Sequence, residues 1–154
     1  MRHAFLLCAL AIVPAAVVAQ SDDEAGVRRA LTYYIRGHAT GIADTMAKAF
    51  HPDAELKFVR NGQYTRRPLA EYLAGFSGRP AADEARRARR IVAMDITGTS
   101  AVAKLELDHG AVLLTDYMHL LKIDVSRRAV PSVGRGRVRR RCPGSGKAPR
   151  EATR

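Results

Sequence analysis

The sequence predicts an α+β domain, with helices packed on one face of an antiparallel sheet, and three observations carry that reading. Apolar residues recur at helical spacing only in the first half of the chain. An Asn61-Gly62 pair separates two short extended segments. From Arg89 to Asp124, long stretches alternate apolar with polar residues. The 154 residues suffice for one domain of this kind.

The chain opens with a basic Met1-Arg2-His3, followed by small or apolar residues from Ala4 to Ala19. That run is shorter than the about 20 residues a spanning helix needs, and Val17 and Ala19 precede a cleavage point at Gln20. Residues 1–19 therefore read as a signal peptide. The expected localisation is exported, periplasmic or secreted, with no stable membrane insertion after cleavage. Cys8 and Cys142 are the two cysteines, which excludes a disulfide framework and a cysteine-based zinc site.

In the mature chain, Ser21-Asp22-Asp23-Glu24 has the form of a capping box, so the first helix is expected to start there. Val27, Leu31, Tyr34, Ile35 and His38 form its apolar stripe, and Gly37 and Gly41 mark its end. A second short helix carries Ile42, Met46, Ala49 and Phe50 on one side, stopped by His51-Pro52-Asp53 because Pro52 disfavours helical geometry before it. Ala54 to Arg60 is a strand with Leu56 and Phe58 on one face. Asn61-Gly62 makes a tight turn into Gln63–Arg67. Pro68 suits the first position of a third helix faced by Leu69, Tyr72, Leu73 and Phe76, and residues 79–85 form a loop. Three more strands run from Arg90 to Ile96, Ala101 to Asp108 and Val112 to Asp124. In the middle one, Lys104, Glu106 and Asp108 alternate with Ala103, Leu105 and Leu107, giving one wet face and one core face.

Charge separates the domain from the C-terminal segment. The formal net charge is +11, yet residues 1–124 hold 16 Lys/Arg against 14 Asp/Glu, whereas residues 125–154 hold 10 against 1. The domain, 20–124, is close to neutral, and 125–154 reads as a basic, low-complexity, disordered tail. Its arginines would attract nucleic acid only weakly and with strong salt dependence, and no aromatic residue interleaves them, so no specific nucleic-acid partner is expected.

Several strings, in this order and spacing, resemble the nuclear transport factor 2-like superfamily. They are Asp23-Glu24 with Tyr33-Tyr34-Ile35, Gly37-His38-Ala39-Thr40-Gly41, and Ala49-Phe50-His51-Pro52-Asp53-Ala54. Arg67-Pro68-Leu69-Ala70-Glu71-Tyr72 and Thr115-Asp116-Tyr117 with Leu120-Leu121-Lys122-Ile123-Asp124 complete the set. Within that superfamily the chain is most similar to small bacterial proteins described as putative lumazine-binding or polyketide-cyclase-like (SnoaL-like), over residues 22–124. The resemblance implies a cone: a strongly curved sheet wrapped on about three helices around an apolar cavity, with dimerisation through the sheet. In that pattern one more strand comes after Asp124, often bearing a Trp. Here an Arg/Gly/Pro run with Pro131 stands in its place, so the last strand is expected to be missing or replaced. An excess of Arg, Gly, Pro and Ala is what a GC-rich gene read out of frame would give, which makes a frameshift after Asp124 our reading of the tail.

Ketosteroid isomerases and scytalone dehydratases of this superfamily use inward Tyr, Asp and His groups, because an apolar cavity shifts pKa values and strengthens hydrogen bonds to a developing oxyanion. By that resemblance Asp116 is the candidate base, with Tyr34 or His38 as donor. Tyr72, Tyr117, His119 and Phe58 are candidate ligand-binding residues. Strand alternation puts Asp116 on one face and Tyr117 with His119 on the other, so they form two separate sets. Each candidate has a plainer reading: Tyr34 as a core tyrosine, His38 as a helix-end group favoured by the dipole, and Asp116 at an interface or in solvent. His51 reads as a turn residue. No metal is expected, since no His/Asp pair has ligand spacing, and no cofactor is expected. Arg86, Arg87, Arg89 and Arg90 read as a solvated edge or as an anion contact at the cavity mouth. The functional expectation is an exported domain binding an apolar or heteroaromatic small molecule, with cofactor-independent isomerase, dehydratase or cyclase chemistry as an open addition. The alternatives are a non-catalytic oligomerisation or docking module and a truncated, non-functional copy.

Overall fold

The computed structural model describes residues 15–123, 126–129 and 133–140, with side chains over residues 22–123. Residues 1–14 of the signal-peptide segment lie outside the described residues.

Helix α1 spans Ala15–Thr40. It runs through Ser21 without stopping, so the capping box is not used as a helix start. The Ala-Ala-Val-Val-Ala-Gln stretch from Ala15 contains no breaker, and an uninterrupted helix needs no cap there. Glu24 instead pairs with Arg28 one turn on, at 2.8 Å, and Asp23 reaches Lys122 at 2.9 Å. Val27, Ala30, Leu31 and Tyr34 are all buried, forming the one stripe that faces the sheet. The helix ends where Gly41 turns to φ +69°, a conformation that strains any side chain. A Cβ at Gly41 would also lie 2.0 Å from the Arg79 carbonyl oxygen.

Helix α2, Ala43–Ala47, packs beside α1, and the approach is close enough that a Cβ on Gly37 would meet Met46 at 2.8 Å. Met46, Ala49 and Phe50 are buried as expected, but Ile42 is 41% exposed. Ile42 occupies the N-cap in extended geometry (φ −94°, ψ 115°), so the helical period does not yet govern it.

Strand β1, Glu55–Arg60, and strand β2, Gln63–Pro68, form the hairpin, with Asn61 and Gly62 both at positive φ in the turn. Pro68 sits one residue earlier than expected, as the N-cap of α3 (Leu69–Ala74). A short 3₁₀ turn, Glu84–Arg86, leads to β3 (Ala88–Thr97), β4 (Ser100–Asp108) and β5 (Val112–Ile123), an antiparallel meander. A bulge between Ile91 and Ala93 resets the side-chain parity of β3. In β4, Ala101, Ala103, Leu105 and Leu107 are buried and Val102 faces out, as the alternation requires.

The tail departs from expectation. Ser126–Ala129 is a strand, β6, paired with the end of β5. Val133–Arg140 is another, β7, parallel to β1 and antiparallel to β5. Residues 130–132, with Pro131 among them, and residues 141–154 lie outside the described residues. The sheet therefore runs β2-β1-β7-β5-β4-β3, and of the expected alternatives, a missing or a replaced last strand, it is the replacement that fills the place between β1 and β5. The reason is that ladder hydrogen bonds belong to the backbone. Gly and Arg supply them as Val does, and Val133–Arg140 contains no proline. The result is an α+β domain with three helices and a sheet not closed into a barrel, α1 packing against β3 and β6.

Candidate functional site

Three elements deliver polar side chains to one place inside the fold. Tyr34 and Asp116, on α1 and β5, have no exposed surface, and the Tyr34 hydroxyl donates to Asp116 Oδ2 at 2.5 Å. One turn further along α1, on the same face, the His38 ring stands edge-on to Tyr34 at 4.7 Å between centroids. His38 Nε2 shares a 3.0 Å hydrogen bond with the hydroxyl of Tyr72, which α3 carries in. Phe50 packs against Tyr34 and Tyr72, and Phe76 against Tyr72 and His38, in edge or tilted contacts. The buried end is thus Tyr34–Asp116, and half-buried His38, Phe76 and His109 form the end toward solvent.

A part-buried ion pair holds that outer end. Arg89, its side chain 5% exposed, contacts both Glu84 oxygens at 2.5 and 2.8 Å, and its Nη2 donates to the His38 carbonyl at 3.4 Å. Those hydrogen bonds from Arg89 hold the Glu84 carboxyl below its ordinary range. Burial opposes the shift, and the charges of Arg89, Arg87 and His109 add to it. The basic cluster thus divides: Arg87 pairs with Asp83, Arg89 with Glu84 and Arg90 with Glu106.

The structure brings together four of the sequence candidates, Asp116, Tyr34, His38 and Tyr72. It separates Tyr117 and His119, which lie on the exposed face of β5, Tyr117 being 43% exposed. They cannot line the same enclosure as Asp116, because neighbouring strand residues point to opposite faces. Phe58 is buried and stands in the same cross-strand row as Asp116: Thr65 pairs with Phe58, Phe58 with Arg135, Arg135 with Asp116, and Asp116 with Leu105. His51 is a turn residue, its Nδ1 accepting from the Asp53 amide at 3.3 Å.

Two polar members of the site, His109 and Glu84, were not among the candidates, nor were the packing rings Phe50 and Phe76. His109, 6.4 Å from the His38 ring, continues the inward parity of Ala101 to Leu107, a signal present in the sequence. Glu84 carries no such signal, since its place depends on the strap between α3 and β3. Among the described residues, no group of three or more His, Cys, Asp or Glu could hold a metal ion, and no helix is long and apolar enough to cross a membrane. Two open grooves, of about 380 and 330 Å³, lie outside the cluster. Glu24, Arg28 and Asp95 help to line the first, and Arg90, Glu106 and Asp108 the second.

A family model described as putative lumazine-binding matches residues 22–131. An NTF2-like protein of unknown function from Shewanella baltica is similar in structure, with a TM-score of 0.68, 21% identity, and coverage of 77% of this chain and 95% of that one. One from Methylobacillus flagellatus gives 0.64, 26%, 75% and 94%. A putative scytalone dehydratase from Novosphingobium aromaticivorans gives 0.56, 9%, 89% and 99%. These likenesses carry the fold. No curated protein matches the chain.

The Tyr34–Asp116 bond makes a direct prediction. Tyr34→Phe keeps the ring packing and withdraws one donor from a fully buried carboxyl group, so stability is expected to fall by about 1–3 kcal/mol in urea denaturation. A double-mutant cycle with Asp116→Asn assigns the coupling to this pair, and a coupling near zero would refute its role.

Proposed function

Because the chain belongs to the putative lumazine-binding family, we propose that it is an exported small-molecule-binding domain whose ligand is apolar or heteroaromatic. One observation carries the reading: Tyr34, His38, Tyr72 and Asp116 come from three elements and converge on one hydrogen-bonded aromatic cluster. Edge-to-face rings around a half-buried imidazole suit a planar ligand, which gains both ring contacts and a hydrogen bond. The Tyr34–Asp116 pair lies behind this surface, and half-buried His38, hydrogen-bonded to the buried Tyr72 hydroxyl, is its polar group nearest solvent. In an acid–base reaction such as isomerisation, dehydration or cyclisation, a ligand would meet His38 first. Asp116 would act as base only after the ligand displaced the Tyr34 hydroxyl. The putative scytalone dehydratase among the structural neighbours supports fold compatibility with such chemistry.

Titrating the full chain with lumazine tests the binding role. Saturable quenching of lumazine fluorescence is expected, weakened about tenfold by His38→Ala or Phe76→Ala. Absence of saturable binding would remove the heteroaromatic reading. Export predicts a mature protein whose intact mass begins at Gln20, and a cell-retained chain beginning at Met1 would refute it.

A second reading rests on the outer sheet face, where Val102, Tyr117 and Leu121 are exposed and His119 lies opposite Val102. We propose that this face joins two copies of the chain. Sedimentation should show a dimer that Tyr117→Glu dissociates, and a monomer at all concentrations would exclude it.

A further inference from the structure

Strand β3 ends the sheet, so one of its two edges has no neighbouring strand among the described residues. The bulge between Ile91 and Ala93 spoils the first half of that edge as a template for pairing. From Ala93 to Thr97 the ladder with β4 is regular, over about 17 Å of strand. Among the described residues, this stretch makes no backbone hydrogen bond except to β4. A groove of about 380 Å³ runs beside it, lined by Met94, Asp95 and Ile96 of β3 and by Glu24 and Arg28 of α1. Successive strand residues point to opposite faces, and a groove lined by three in a row therefore follows the edge of the strand rather than one face of the sheet. Met94 and Ile96 are half-buried against the core, while Asp95 is exposed and stands opposite Val102 of the outer face.

We propose that this edge docks an extended peptide segment of a partner protein, which adds to the sheet as one more strand between β3 and α1. An open ladder selects an extended backbone, because only that presents donors and acceptors at matching spacing. Alternation then sets the side chains of the incoming strand. Residues opposite Met94 and Ile96 enter the groove against α1 and are apolar. The residue opposite Asp95 turns to the outer face, and charge makes it Lys or Arg. Glu24 is paired with Arg28 at 2.8 Å and Asp23 with Lys122 at 2.9 Å, whereas Asp95 forms no ion pair among the described residues, so the uncompensated charge along the groove is negative. The docking site shares no residue with the Tyr34–Asp116 cluster and stands independently of the small-molecule reading.

Fluorescence anisotropy of the full chain with a labelled, end-blocked Thr-Val-Lys-Val-Thr peptide tests this. The comparison peptides carry Glu in place of Lys, or N-methyl groups on alternate amides in either of the two phases. The Lys peptide should bind about tenfold more tightly than the Glu peptide, and Asp95→Lys should invert that order. One N-methylated peptide should lose binding and the other keep it, since only alternate amides face β3. Hydrogen exchange should slow at the amides of residues 93–97 when the Lys peptide is bound. If Asp95→Lys does not fold, Asp95→Asn takes its place, and the Lys and Glu peptides should then bind alike. Absence of saturable binding by the Lys peptide overturns the proposal, as does equal binding of the Lys and Glu peptides to the unaltered chain. Full binding by both N-methylated peptides, or protection confined to residues outside 93–97, excludes strand addition and overturns it as well.

Discussion

Asp116 is a carboxyl group on the inner face of β5, with no exposed surface and with Leu105 opposite it on β4. A carboxyl group placed there without hydrogen-bond donors would cost several kcal/mol, far more than its neighbours gain by excluding water. Its bond to Tyr34 therefore constrains more than two residues. Val27, Ala30, Leu31 and Tyr34 share a helix face, so seating the Tyr34 hydroxyl on Asp116 sets both the rotation of α1 and its position along β5. His38 comes one turn later, and its meeting with Tyr72 is set by the same placement. The aromatic cluster is a consequence of where one polar group had to be satisfied.

A second constraint acts where α1 ends. Gly37 admits α2 and Gly41 admits the backbone at Arg79, and neither position has room for a Cβ. The Gly78 amide donates to the Gly41 carbonyl at 2.9 Å, and the same strap then brings Glu84 to Arg89. Arg89 closes the circuit by donating to the His38 carbonyl. The end of α1 is thus tied to β3 through one arginine, and the half-buried imidazole is held on a backbone fixed from both sides. Such a surface is pre-organised, so a ligand need not order it on binding.

Most of this order was legible in the sequence because it depends on periodicity. Residues 101–107 could alternate only as a half-buried strand, Asn61-Gly62 could turn only one way, and the 27-31-34 stripe predicted which face of α1 would be covered. The parity that put Tyr117 and His119 opposite Asp116 was equally visible, although only the folded structure shows which side is core. What escaped was non-periodic. The start of α1 went unread because a capping box marks a start only if the chain before it is not helical. Glu84 escaped because its partner lies across a loop. The strand at Val133–Arg140 escaped because apolar content is the signal for a strand that must bury a face, whereas pairing alone needs only backbone.

The same parity argument explains how two adjacent arginines find separate acids in a nearly neutral domain. Arg66 and Arg67 are adjacent in sequence, so β2 must send them to opposite faces, and Glu55 can compensate only the one on its own side. Arg67 turns instead to Glu71 of α3 at 3.2 Å, and with Arg60 it flanks the Phe58 ring. Phe58 and Asp116 are two strands apart in one row, a separation of about 9–10 Å by ladder spacing. Arg135 of β7 stands between them in the register, so the ladder that carries the buried carboxyl group is joined to the hairpin through the strand drawn from the tail.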